Sequence, residues 1–246
     1  MIFNTSIGIK QIIRFEWMNY TVDLLKSGLT KDEIRRELHL YLSDKKGNGK
    51  LEDRAEKTMS IAVSLLMNIW INPKPGLEDF RDRLLKIFNQ ENKLICHWAM
   101  TSSVYPFWFN MSYIIGSLFR LQDQIKKSQI MSRTYELLGE KNTIERCSRY
   151  VIRSFVYWDI IRDKEKLGFY EKGEPSATSD INLICLLIES IFYAVQDERI
   201  PLNLIINCPA FFNFSLPLIN CSQIIKGNQN LYLEQFSVNE EYICKK

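Results

Sequence analysis

Three arginines, Arg146, Arg149 and Arg153, recur at i, i+3 and i+7. That spacing lines side chains along one face of a helix. Arginines in a row can pair with phosphates, or bind the O6 and N7 edge of guanine in bidentate fashion. Lys141 and Asn142 precede the row, Thr143 is placed to cap its helix, and Arg162, Lys164 and Lys166 follow it. Between Lys141 and Lys166 stand seven basic and four acidic residues, a net charge of +3. The whole chain holds 32 basic and 29 acidic residues in 246, so 25 of each lie elsewhere. The entire basic excess therefore falls within one 26-residue segment.

Other residue types with chemical potential lack the spacing that their chemistry needs. The six cysteines (Cys96, Cys147, Cys185, Cys208, Cys221 and Cys244) include no C-x-x-C pair, and the histidines are His39 and His97. A structural zinc site draws its ligands from close pairs, so no metal ligand set is read here. The cysteines are expected to be reduced and mostly buried in a cytoplasmic protein. Gly47-Asn-Gly-Lys50 lacks the spacing of a phosphate loop and reads as a solvated turn. His97, beside Trp98 in an apolar stretch, reads as a core histidine. There is no G-x-S-x-G, and Asp32/Glu33 and Glu240/Glu241 suit cap or solvent roles. Phe211, Phe212 and Phe214 read as packing, because no basic residue lies between Arg199 and Lys226. No catalytic residue and no cofactor is predicted.

The elements that would position the arginines can be read from periodicity and punctuation. Apolar residues from Ile12 to Leu25 recur at helical spacing and stop before Gly28. Thr30 and Glu33 have the form of a capping box, which opens a helix carrying Ile34, Leu38, Leu40 and Leu42. A third helix is predicted from about Leu51 to Ile71, stopped by Pro73 and Pro75. Further helices are predicted over about 77–89, 92–104, 107–122 and 180–196. Residues Leu94 to Phe119 carry no formal charge. Their polar residues and central proline favour two buried core helices over a membrane span. Leu231–Phe236 and Tyr242–Cys244 suggest a terminal β-hairpin.

Residues 113–172 read as helix, helix, helix, hairpin. The first helix ends near Gln122. Lys126 and Lys127 then lead into a second, with Ser128 as N-cap, and Gly139 supplies a tight turn. The third, from Ile144 to about Tyr157, turns Ile144, Cys147, Val151, Phe155 and Trp158 inward and the arginines outward. A strand over 158–162, a turn over 163–168 and a return strand from Phe169 would make a wing. Ser128 through Glu171 resembles the winged-helix DNA-binding domains of prokaryotic transcription regulators. The whole chain is similar to the small non-catalytic DNA-binding proteins (BrxA) of BREX phage-defence operons. The similarity lies in the helical N-terminal unit with Leu25-Lys-Ser-Gly-Leu-Thr30, the central winged region, and the aromatic-proline segment around Phe211 to Pro217.

The expectation is thus a mainly α protein in three parts. A helical N-terminal bundle spans 1–72. Central helices and a winged helix-turn-helix span 77–172, and a C-terminal helix, aromatic-proline segment and hairpin span 180–246. The resemblances imply a non-enzymatic partner of double-stranded DNA, supporting a larger defence or regulatory complex. Lys126, Lys127, Ser128, Lys141, Asn142, Thr143, Arg146, Arg149, Arg153, Arg162, Lys164 and Lys166 would form the contact. The alternative left open is a scaffold that docks onto protein subunits without touching DNA.

Overall fold

The computed structural model describes residues 1–44, 56–237 and 240–246. Residues 1–14 run mostly without regular structure, and α1 (Phe15–Lys26) follows. The reciprocal cap at Thr30 forms. The Glu33 carboxylate accepts from the Thr30 N–H at 2.8 Å, and the Thr30 hydroxyl accepts from the Glu33 N–H at 3.4 Å. It opens α2 (Lys31–Asp44), which buries Ile34, Leu38 and Leu42 at one-turn spacing and leaves Leu40 exposed.

The expected turn at Gly47–Lys50 and the expected start of the third helix lie outside the described residues. Within them, α3 (Glu56–Leu66) gives way to a π-helical turn, Met67–Ile71, rather than continuing as α-helix. The wider turn closes with the Asn72 N–H donating to the Met67 carbonyl at 2.7 Å, immediately before Pro73. It leaves Trp70 fully buried, with its indole N–H donating to His97 Nδ1 at 3.1 Å. Because Nδ1 accepts, Nε2 carries the proton and donates to the Asn19 side-chain amide oxygen, Oδ1, at 3.1 Å. Phe15, Trp70, Phe88 and Trp158 surround the ring. Burial, with the charge of Lys93 adding to it, keeps the His97 pKa well below the usual histidine range. His97 is a satisfied, neutral core residue.

Next come α4 (Glu78–Ile87), α5 (Lys93–Val104) and α6 (Pro106–Phe119). Every residue of α5 from Ile95 onward is buried, as are most of α6. Their lack of charge follows from this central position. No helix among the described residues is long and apolar enough to cross a membrane. The C-terminal part contributes α9 (Ile181–Ala194), which packs along α5, and a 3-10 turn, Pro209–Phe211, which lies on α6. That second approach is so close that a Cβ on Gly116 would sit 1.9 Å from the Pro209 carbonyl oxygen. Phe211 and Phe214 are buried, and Trp98 meets Phe212 and Phe214 at ring distances of 6.3 and 5.5 Å. The phenylalanines of the aromatic-proline segment pack on the core, while Ser215 and Pro217 are exposed. One continuous buried cluster draws on all three segments of the chain.

The C-terminal strands pair as expected, β7 (Leu231–Ser237) antiparallel to β8 (Glu240–Lys245). A third strand, Arg199–Pro201, joins the free edge of β8. Nearby, α4 and α9 are joined by an ion pair whose carboxylate is buried and whose arginine is partly exposed. The Arg83 guanidinium donates to both oxygens of fully buried Glu189, at 2.7 and 2.6 Å. Asn228 donates to the same carboxylate at 2.6 Å, Tyr193 at 3.0 Å and Asn230 at 3.3 Å. Burial alone would raise the Glu189 pKa, but the hydrogen bonds from Arg83 and Asn228 outweigh it and hold the pKa below the ordinary value. Every oxygen of this carboxylate is engaged, so it reads as a structural junction.

All six cysteines are buried and free. Burial pushes the thiols of Cys96 and Cys208 up to about 12, and that of Cys185 to about 11. None of these three is poised as a thiolate nucleophile.

Candidate nucleic-acid interface

Residues 106–172 fold in the order helix, strand, helix, helix, strand, turn, strand. After α6 comes a strand that the sequence did not signal, β1 (Gln124–Lys126), whose one buried side chain is Ile125. Three residues with one apolar position carry no readable alternation. The strand exists because β3 (Phe169–Lys172) returns beside it, with Ile125 facing Tyr170 in the register. On the other side of β3 lies β2 (Ile161–Asp163), giving an antiparallel sheet of order β1-β3-β2. The helix, helix, helix, hairpin order expected for this region is present, with β1 added as a third strand.

The two helices between the strands are α7 (Lys127–Leu138) and α8 (Asn142–Tyr157). Gly139 joins them with a φ of +82°, a left-handed value that a residue with a Cβ rarely adopts. Both helices begin earlier than their sequence caps suggest. Ser128 and Thr143 are the second residues of α7 and α8, and Lys126 and Lys141 hold the N-cap positions. The reason is tertiary. Pairing with β3 carries the chain in extended form up to Lys126. The Lys127 N–H donates to the Gly168 carbonyl at 2.8 Å, and the Gln129 side chain caps the Lys126 N–H at 2.8 Å. At the far end, β2 starts at Ile161 rather than at Trp158. Trp158 instead closes α8, its N–H donating to the Ser154 carbonyl at 2.9 Å, and its indole donates to the Ile13 carbonyl at 2.9 Å.

The two faces of α8 separate as the periodicity requires. Ile144, Cys147, Ser148, Val151, Ile152 and Phe155 are buried, with Trp158 just beyond. Lys141, Asn142, Thr143, Arg146 and Arg149 are exposed, and Arg153 is half-exposed. The arginine stripe exists, but much of its charge is answered locally. Arg149 meets Glu145 one turn back at 3.0 Å, and Arg153 reaches Asp163 on β2 at 2.7 Å. Arg162 meets Asp159 at 2.8 Å and Glu174 at 3.6 Å, and Lys164 meets Glu171 at 2.6 Å. Hydrogen bonding to Arg162 lowers the Asp159 pKa. Among the described residues Lys141, Arg146 and Lys166 have no carboxylate partner.

On the wing, Lys166 and Lys126 place their ammonium groups 4.8 and 5.3 Å from the ring of Phe169. This brings the residues before α7 to the wing and gathers them with the rest. Lys127 is half-buried and Ser128 exposed on the first turn of α7. The twelve predicted residues thus lie on four neighbouring elements: the end of β1, the start of α7, α8 with its N-cap Lys141, and the β2–β3 wing. The segment before α1 also reaches this surface. Arg14 stacks on the ring of Tyr157, the last residue of α8, at 4.4 Å. Sequence reading missed both residues, because 143 positions separate them and neither stands in a charge run.

Among the described residues, no group of three or more histidine, cysteine or acidic side chains could hold a metal ion. No family model, curated protein or solved structure matches the chain significantly.

Proposed function

We propose that the protein is a non-enzymatic double-stranded DNA-binding protein that lays α8 in the major groove and sets its wing against the backbone. The observation that supports this reading best is the two-sidedness of α8. A buried, mainly apolar inner face holds an outer row of Asn142, Arg146, Arg149 and Arg153 toward solvent, as a recognition helix requires. The ion pairs along the row do not oppose it. Exposed pairs are worth about 0–1 kcal/mol, so exchanging a carboxylate for a phosphate costs little. They leave Arg146 as the arginine with the least to give up, next to Asn142 on the same face. Its setting, on this reading, is an accessory role in a prokaryotic defence or regulatory complex. Replacing Arg146, Arg149 and Arg153 together by alanine should abolish retention of a duplex in a gel shift while leaving the thermal melt nearly unchanged. Unchanged retention would sink the assignment.

A second reading, a scaffold subunit, has one observation in its favour. An apolar groove of about 390 Å³ runs between α6 and α7, lined by Phe3, Tyr113, Ile114, Leu118, Leu121 and Leu137. Leu121 is 81% exposed at its rim. Salt-insensitive co-purification with a protein partner, together with no DNA binding, would favour this reading over the first.

A further inference from the structure

The arginine row does not end with α8. Tyr157, 41% exposed, has the Arg14 guanidinium carbon 4.4 Å from its ring centre and that of Arg153 at 5.8 Å. Arg14 also donates toward the Tyr157 hydroxyl at 3.5 Å. Two like charges thus share one aromatic ring at the surface. Each has only an exposed carboxylate to answer it, Glu16 for Arg14 at 3.6 Å and Asp163 for Arg153. Glu16 lies in the first turn of α1, where the positive end of the helix dipole also attracts its charge. That leaves Arg14 incompletely compensated.

Its position is set by the packing of the segment before it. Ile9 and Ile13 are buried, while Lys10 is exposed. The Ile13 N–H donates to the buried Ser154 hydroxyl at 2.9 Å, and the Ile13 carbonyl accepts from the Trp158 indole. The segment is therefore pinned to the C-terminal end of α8 by its backbone.

Length decides what this cluster could touch. From Arg146 to Tyr157 is eleven residues, about 16 Å at 1.5 Å per residue. The major groove is about 12 Å wide. A helix entering the groove end-on, with Asn142 and Arg146 over the base edges and its axis across the groove, carries Tyr157 past the groove and onto its phosphate wall. We infer that Arg14 and Tyr157 form a phosphate-contact site, by which the segment before α1 clamps the DNA backbone at the C-terminal end of α8. This inference rests on the DNA-binding reading and adds to it a contact from outside the winged helix. The guanidinium, held over the ring, would present its outward N–H groups to a phosphate oxygen, in exchange for the exposed Glu16 carboxylate.

The test measures the affinity of the full chain for a duplex of about 30 base pairs, by fluorescence anisotropy, between about 50 and 200 mM salt. Each lost phosphate contact should reduce the slope of log affinity against log salt by about 0.9. Arg14→Gln keeps a planar side chain on the ring but removes the charge. It should lose close to one contact's worth of slope, with a fall of about fivefold or more in affinity at the lower salt. Arg14→Lys restores the charge and should restore the slope. If Arg14→Gln keeps the wild-type slope, the inference is overturned. It is equally overturned if Arg14→Lys loses as much slope as Arg14→Gln, since the role would then be structural. Arg146→Ala, measured alongside, separates the two levels. Weakened binding by that variant with an unaffected Arg14→Gln removes only the clamp. A wild-type chain that binds no duplex removes the DNA-binding reading and the clamp with it.

Discussion

Two regions of this molecule use the same chemistry, an arginine against a carboxylate, to opposite ends. At the junction of α4 and α9, Arg83 meets Glu189 inside the protein, with Asn228, Asn230 and Tyr193 filling the remaining acceptor sites. On α8 and the hairpin that follows it, Arg149, Arg153 and Arg162 meet Glu145, Asp163 and Asp159 in open solvent. The distances are nearly equal. What differs is the surrounding dielectric, and with it what either partner could do alone. A buried carboxylate stripped of its arginine has no water to turn to. A surface arginine stripped of its carboxylate is hydrated at once, or takes a phosphate instead. The buried pair is committed to the fold; the surface pairs are exchangeable, as a binding surface requires.

The largest effect should come from breaking the buried side of this contrast. Arg83→Ala leaves Glu189 buried and uncompensated, and should cost about 3–5 kcal/mol, read as a lower urea midpoint. A loss under about 1 kcal/mol would put the junction in the same class as the surface pairs.

A second buried titratable group, His97, should give the next effect, and its sign can be worked out. His97 has a depressed pKa in the folded chain, because burial and Lys93 disfavour its charged form. The unfolded chain takes up this proton below about pH 6.5, so stability is complete above that value and falls as the pH drops below it. The loss should approach 1.4 kcal/mol per pH unit. Glu189 behaves with the same sign at lower pH, since its folded pKa is depressed below the ordinary carboxylate value. Thermal melts between pH 7 and 5 would show the His97 slope, and His97→Gln should flatten it. An equal slope in that variant would assign the effect elsewhere.

The surface side should respond least in stability and most in binding. Asp163→Asn frees Arg153. It should shift the melt by less than about 1 kcal/mol, yet raise duplex affinity by about fivefold, the equivalent of about 1 kcal/mol for one charge gained near a phosphate. Unchanged affinity at low salt would mean that Arg153 serves the wing and not a ligand.

Much of the fold was legible because local rules and tertiary needs agreed. Thr30 with Glu33, the apolar face of α8, the uncharged core helices and the terminal hairpin could each be read from spacing alone. The misses share a cause. The strand β1 holds one buried residue and owes its existence to a partner 45 positions away, Ile125 opposite Tyr170. The N-caps at Lys126 and Lys141 went against cap preference, because strand pairing and a glutamine side chain did the work at the first of them. The π-turn before Pro73 leaves no mark on an apolar helix pattern.

The sequence by itself determined which residues face inward and which outward, because a helix repeats every 3.6 residues and burial selects apolar side chains. It thereby settled that Arg146, Arg149 and Arg153 form one outward row, with the chain's whole charge excess beside them. Only the tertiary structure decided which of those charges are already answered. An ion pair such as Arg153 with Asp163 depends on where a wing folds back, and Coulomb energy depends on distance through space and not along the chain. The same reason brings Arg14 to Tyr157, across 143 residues of sequence and 4.4 Å of space.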